Sequence, residues 1–379
     1  MEPRQSPAVT APGFHFPGRL ISPGFFIRVR IGPPRNQARR SAPSLHSGSG
    51  QMSDQHGLRA DLARFRAPIL SQSLFQIATS MGGFFAASAA VHLLLPVSFW
   101  LALPLMPLAA GFLVRIFIIQ HDCGHFAFFR SRRANDGVGF LCSLLTLTPY
   151  ASWRRQHAGH HGVWNDLDRR QSGADIYSSC LTVAEYRALS KGRRLWFRVS
   201  RHPFVMNILL PPLVFLVLYR VPFDMPKSWR RERRAVHLTN AAIVALAAGV
   251  GLLIGFDQLL LGQLPILVIG AIIGVWLFSV QHRGENVRWL ASGEWDATRA
   301  AYESSTFVKL PALLRWFTGN IGFHHVHHLE PRVPNYRLRA CHESDARLRQ
   351  VPATSFRGAC RSMRLQLWDG EAQAMARAT

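Results

Sequence analysis

The sequence predicts an all-α integral membrane protein: about four transmembrane helices, two re-entrant or interfacial segments, and a cytoplasmic helical cap that carries clusters of histidine. Three observations predict it. Apolar residues are gathered into long blocks instead of alternating with polar ones. Charged residues are 17% of the 379, below the ~25% usual in soluble domains. The clustered histidines fall at the ends of the apolar blocks or in the loops beyond them, in strings with helical spacing. The net charge of +23 comes almost entirely from arginine outside the blocks, a pattern that fits positive-inside topology and contact with anionic headgroups. No nucleic-acid motif or contiguous basic helix accompanies that charge, so nucleic acid is not expected as a partner. The five cysteines, Cys123, Cys142, Cys180, Cys341 and Cys360, form no C-x-x-C pair and read as reduced thiols or packing residues.

Along the chain, residues 1–60 are rich in Pro, Ser, Gly and Arg, nearly free of acid, and lack an apolar run long enough for a core. They read as a disordered N-terminal extension. Met52 opens MSDQHGLRADLARF, which looks like an ordinary protein start and favours an upstream extension over a targeting peptide. Residues 61–350 form the membrane domain, and 351–379 a C-terminal tail. Apolar blocks run over 70–94, 96–120, 137–150, 204–221, 236–256 and 262–281, against the ~20 residues a helix needs to cross the hydrocarbon. Arg59, Arg64 and Arg66 precede the first block, Arg130, Arg132 and Arg133 follow the second, and the LLPVSF link between them has no basic residue. Both outer ends are therefore cytoplasmic.

The 137–150 block is too short to span and should lie in the interface or dip in and return. Basic strings flank the 204–221 block on both sides, and Pro211 and Pro212 remove two helix donors within it. A re-entrant or interfacial segment fits it better than a full span. The last two blocks meet at FDQLLLGQ, acidic and without a base, on the outer face. That brings the chain back to the cytoplasm at His282, so that all histidine clusters share one side.

Those clusters are HDCGH with His121 and His125, HAGHH with His157, His160 and His161, and HHVHH with His324, His327 and His328. Residues at i, i+3 and i+4 share a helix face, so each cluster can aim two or three imidazoles at a common point. With 17 histidines in the chain, H-x-x-H-H occurs twice, where chance expects it about 0.03 times. Eight imidazoles exceed one zinc site and suggest two ions, though imidazole suits Fe, Cu, Ni and Zn alike. Asp122, Asn165, Asp166, Glu285, Asn320 and Glu330 are candidates to orient the rings, with helix capping as their plainer role. His92, His202 and His237 read as isolated interface residues, and Arg115 inside the second block must snorkel or pair, snorkelling being favoured over substrate contact.

The order and spacing of HDCGH, WRRQHAGHH followed by Asn165, VQHRGE, and GNIGFHHVHHLEPRVPNYRL resemble the membrane fatty acid desaturases, most of all the bacterial acyl-lipid branch with delta-5 and delta-12 enzymes. The resemblance covers residues from about 65 to about 350. It implies two iron ions (a di-iron centre), O2 as oxidant and a membrane lipid acyl chain as substrate. It also implies a further ligand, His282 in VQHRGE, making nine with the boxed histidines; His325 lies off the ligand pattern. In the acyl-CoA branch an asparagine one helical turn before that histidine reaches a metal through water; here the position is Phe278, a departure from that pattern. No HPGG haem motif supports a fused cytochrome b5 domain, so electrons are expected from a separate donor, a ferredoxin in a bacterial host. Arg193, Arg194, Arg231, Arg233 and Arg234 offer an acidic donor a docking face, or else meet headgroups. The expected setting is multi-pass in a bacterial inner membrane, with the site facing the cytoplasm. A hydroxylase or ketolase could use the same boxes, whereas a metal transporter or sensor would bury its ligands at mid-membrane.

Overall fold

A computed structural model describes residues 61–170 and 180–378. The N-terminal extension expected over 1–60 lies outside the described residues. Eight helices form the membrane part and its underside: α1 (Leu70–Leu94), α2 (Leu105–Gly124), α3 (Arg132–Thr146), α4 (Tyr150–Val163), α5 (Lys191–Ser200), α6 (Leu210–Leu216), α7 (Arg230–Ile254) and α8 (Phe256–Gln281). Four spans are long and apolar enough to cross a membrane: α1, the stretch Phe99–Gly124 ending in α2, α7 and α8. The fold is that of an all-α integral membrane protein.

Local chemistry sets the boundaries. α1 stops just before Pro96, which disfavours helix in the residue ahead of it. α3 starts on Ser131, whose Oγ accepts from the Ala134 amide at 3.3 Å. α7 hands over to α8 through Gly255 at φ 92°, a backbone conformation that a side chain would strain.

The segment expected to re-enter is broken. α5 ends at Ser200, a π-helical turn occupies Val205–Leu209, and the two arms of Lys191–Arg220 bend by 46°. Pro211 and Pro212 stand in the first turn of α6, where their missing amide donors cost little. Topology also decides the crossing. The C-terminal ends of α2 and α8 meet at one histidine site, so an even number of crossings separates them. α7 and α8 supply two, and the broken segment turns back.

Beyond α8 the chain builds the cap. A one-and-a-half-turn helix, α9 (His324–Leu329), is fully buried there. Short strands brace the cap: β1 (Leu181–Thr182), β2 (Phe307–Lys309), β3 (Ala353–Ser355), β4 (Leu367–Asp369) and β5 (Ala374–Ala376). β2 pairs with β3 in parallel, β1 with β4 in parallel, and β4 with β5 antiparallel. Residues beyond 350, expected as a tail, therefore belong to the cap, and Trp368 among them is 1% exposed. Strands of two or three residues are too short to leave a periodic signal.

Arg115 on α2 does not snorkel. It is buried, its guanidinium lies 3.9 Å over the Trp316 ring, and it donates to the Trp316 carbonyl. Pairing with an aromatic face and a carbonyl offsets the cost of a charge inside the span.

Candidate metal centre

The histidines reach the site from four elements. His121 is on the last turn of α2 and His125 caps it. His157, His160 and His161 lie on α4, His282 caps α8, and His324, His327 and His328 lie on α9. Their ligand atoms gather into two groups, His121, His125, His157, His161 and His327 in one, and His160, His282, His324 and His328 in the other. Within each group the atoms lie within 4.8 Å of one another. Each three-histidine box is divided between the groups, where the spacing alone had allowed all three to aim at one point. On α4 the i, i+4 pair His157 and His161 faces the first group and His160 the second. On α9 the i, i+4 pair His324 and His328 faces the second and His327 the first.

The donor set fits cations. In the second group the Nε2 atoms of His282, His324 and His328 form a triangle with sides of 2.9, 2.9 and 3.2 Å. A neutral imidazole Nε2 offers one N–H or one lone pair. Three such atoms in mutual contact cannot all be matched, because at least two neighbours present the same kind. Lone pairs aimed at a common cation remove the conflict. Nitrogens about 2.1 Å from an ion and at right angles stand about 3.0 Å apart, close to those separations. In the first group His327 Nε2 lies 3.1 Å from His121 Nε2 and 3.0 Å from His161 Nε2, and His125 Nε2 has no hydrogen-bond partner among the described residues. Burial first, and neighbouring imidazoles second, hold His125, His157, His161, His324, His327 and His328 well below the ordinary histidine pKa. They stay neutral and able to donate lone pairs.

Two rings are oriented from behind. His121 Nδ1 lies 3.2 Å from Asp122 Oδ1, and Asp122 Oδ2 accepts from the Asn335 amide and side chain at 2.7 and 2.8 Å. Asn335 in turn exchanges hydrogen bonds with Gln76 on α1. His282 Nδ1 faces the Ser304 carbonyl at 3.4 Å, which favours a lone pair on its Nε2.

Of the six candidate orienting residues, Asp122 hydrogen-bonds an imidazole, that of His121. Asn165 donates at 3.3 Å to the His282 carbonyl and so holds the backbone of that ligand. Asp166 accepts from the amides of Asp168 and Arg169 in a turn, with no helix opening there, and from Ser292 Oγ at 2.8 Å. Asn320 donates to the Asn335 carbonyl, Glu330 accepts from Arg66, and Glu285 is exposed. Sequence reasoning missed Asn335, Gln76 and Ser304, which carry no local motif. His325 lies outside both groups, its Nε2 3.0 Å from His342 Nδ1, and His92, His202 and His237 lie apart as well. Two of the five docking arginines are engaged by the fold: Arg194 donates to the Leu189 carbonyl and Arg233 to those of Pro222 and Met225.

A cavity of about 220 Å³ opens from the histidines into the membrane part between α2, α6 and α8. His121, His157, His160 and His324 form its floor, and Phe278 stands beside His160 with ring centres 5.0 Å apart. Leu113, Phe117, Val214 and Val275 are among its apolar walls.

A four-span helical protein with two groups of largely buried imidazoles that could hold metal ions, and a largely apolar chamber leading to them, is an integral membrane protein with a candidate metal centre beside an apolar cavity. The comparisons with known proteins name the family. The family model for fatty acid desaturase matches residues 98–356. The chain is 46% identical over 315 residues to a Bacillus subtilis protein named fatty acid desaturase, covering 83% of this chain and 88% of that one. It is 28% identical over 261 residues to the sn-1 oleoyl-lipid 12-desaturase of Synechocystis sp., covering 65% of this chain and 68% of that one. It is also 28% identical over 260 residues to the sn-1 acyl-lipid omega-3 desaturase (ferredoxin) of Synechocystis sp., covering 65% and 67%. The chain belongs to the fatty acid desaturase family, oxidoreductases that introduce double bonds.

Proposed function

We propose that the chain introduces a cis double bond into an acyl chain of a membrane lipid, with His121, His125, His157, His161 and His327 holding one iron ion and His160, His282, His324 and His328 a second. The observation that carries this reading is that histidines of both imidazole groups line a largely apolar cavity. Bound there, the two irons with O2, two electrons from a donor and two protons from solvent would supply an oxidant able to take two hydrogens from adjacent unactivated methylenes, leaving the alkene and two waters.

The protein's own contribution is positioning. Neutral imidazoles offer ligand lone pairs, Asp122 and the Ser304 carbonyl orient two of them, and the Trp153 ring stacks on His157 at 4.7 Å and 13°. Phe117, Val214 and Phe278 line an acyl path that excludes water and holds one stretch of the chain against the histidines. An acyl-lipid substrate is supported by the two Synechocystis relatives, whose names specify acyl lipids. A ferredoxin as electron donor is supported by the name of one of them. The arginine-rich flanks of the spans support a site facing the cytoplasm of a bacterial inner membrane.

The test is expression in a host lacking the activity, with iron and a donor system present, followed by mass spectrometry of lipid acyl chains and metal analysis of the purified protein. New unsaturated acyl chains and two irons per chain are expected. Hydroxylated chains without alkenes would overturn the reaction assignment, and zinc or a single metal would overturn the two-iron site.

A further inference from the structure

α8 contains three glycines, and their surroundings differ. A Cβ on Gly262 would lie 2.4 Å from His92 Cε1, and one on Gly270 would lie 3.1 Å from Leu113 Cδ2. Both are small because a neighbouring helix passes close. A Cβ on Gly274 would meet nothing within 4 Å. Glycine in a helix interior costs about 0.5–1 kcal/mol relative to alanine, and at Gly274 no close packing explains it. The empty space beside Gly274 is the cavity: Leu267, Gly270, Ala271, Gly274, Phe278 and Gln281 line it as one stripe of α8.

The cavity also has a direction. Toward α4 its lining includes Gln156, Tyr219 and Asp224, with Gln156 Nε2 donating to Asp224 Oδ2 at 3.2 Å. Along α2 and α8, away from the histidines, Leu113, Leu267 and Gly270 line it and no polar side chain does. An acyl chain is therefore favoured with its polar end toward Gln156 and Asp224 and its methyl end toward Leu113 and Leu267. Gly274 stands two turns before Gln281, about 10 Å along the helix, on the path of the methyl-terminal part beyond the histidines.

We propose that Gly274 is a specificity-determining residue, and that its missing side chain provides the clearance that sets the longest acyl chain the cavity admits. This rests on the reading of the cavity as the acyl site. A side chain at 274 points into open space, so it fills the cavity without displacing α2, unlike one at Gly270.

The experiment compares the full chain with its Gly274→Ala, Gly274→Val and Gly274→Leu variants by two readouts. One is competition binding of diacylphospholipids with graded acyl lengths to the purified protein, read by native mass spectrometry and requiring no turnover. The other is the chain-length distribution of unsaturated acyl products in cells. The expected result is a progressive shift toward shorter chains from Ala to Val to Leu in both readouts, with iron content unchanged. For the longest product a drop on the order of 100-fold with Leu is expected, the cost of misplacing a reacting atom by about 1 Å. Identical binding and product profiles in wild type and all variants that fold overturn the proposal; Gly274→Ala, which adds one methyl in open space and favours helix, keeps the comparison available if Leu does not fold. A binding shift with no unsaturated product from any form, wild type included, leaves the clearance role standing and overturns the desaturase reading instead. Products without any shift overturn the clearance role alone.

Discussion

The span ending in α2 and the span α7 are both apolar and of nearly equal length, yet 56% of the first's membrane window is buried inside the protein and 11% of the second's. α2 packs against α1, α3 and α8 and ends in Gln120, His121, Asp122 and Cys123, all buried. α7 presents Val244, Leu252 and Leu253 outward, the last 84% exposed. Hydropathy reports that both can cross a membrane, because lipid and protein interior are equally apolar to a leucine. What separates a wall from a working helix is its polar end. α2 carries two of the nine histidines and, through Asp122, Asn335 and Gln76, a hydrogen-bonded frame that reaches back to α1.

Substitutions can break or sharpen that contrast. The largest effect is expected at the imidazoles: His121→Ala at the end of α2 or His327→Ala facing it removes a group whose Nε2 atoms lie 3.1 Å apart. Product should become undetectable and, on the proposed two-iron site, iron per chain should fall below two, measured by mass spectrometry of lipids and of metal. Retained full iron content in either variant would break the assignment of the first group. Next comes Asp122→Asn, which keeps the shape and removes the charge behind His121; iron affinity or activity should drop about 10–100-fold, read by chelator competition.

Packing separates the two spans more gently. Met106→Ala near the start of α2, at 0% exposure, should cost about 2 kcal/mol, the low end for such a truncation because a cavity forms while lipid offers no transfer gain. Leu252→Ala on α7, at 79% exposure, should change stability by about 0.5 kcal/mol or less. Unfolding in matched detergent compares them, and equal effects would show that α7 is covered by something else. A last test separates the histidine end from both spans by pH. The six histidines held below the ordinary value of 6.5 bind fewer protons folded than unfolded. Stability of the metal-free protein is therefore fully present above pH 6.5 and declines as pH falls below it. A melting temperature of chelator-stripped protein that rises on acidification would contradict this.

Much of this architecture was legible in the chain itself. The four spans follow from block length, since a helix needs a set number of apolar residues to cross. That this segment does not run straight across was signalled by its prolines and by basic residues on both flanks, although the break itself falls at 201–204, ahead of Pro211 and Pro212. The three histidine boxes stand out through their spacing, and His282 only through resemblance, because a single histidine at a helix end carries no local pattern. Asn335 and Gln76 were illegible for the same reason: they are 259 residues apart and acquire meaning only where α1 and the cap meet. The strands after residue 350 were missed because pairing partners such as Phe307 and Ala353 are selected by the folded cap and not by local alternation.

The sequence by itself determined that this is a multi-span membrane protein with enough imidazole on one side for two metal ions, because composition, block length and i, i+3, i+4 spacing are local properties of the chain. Only the tertiary structure decided which imidazoles gather together. The helical twist that brings His157 and His161 to one face turns His160 toward the other group, and α9 divides His327 from His324 and His328 in the same way. Tertiary structure likewise separated the two kinds of glycine on α8, one closed by Leu113 and one open to the cavity, since the space beside a missing side chain is set by the neighbouring helices.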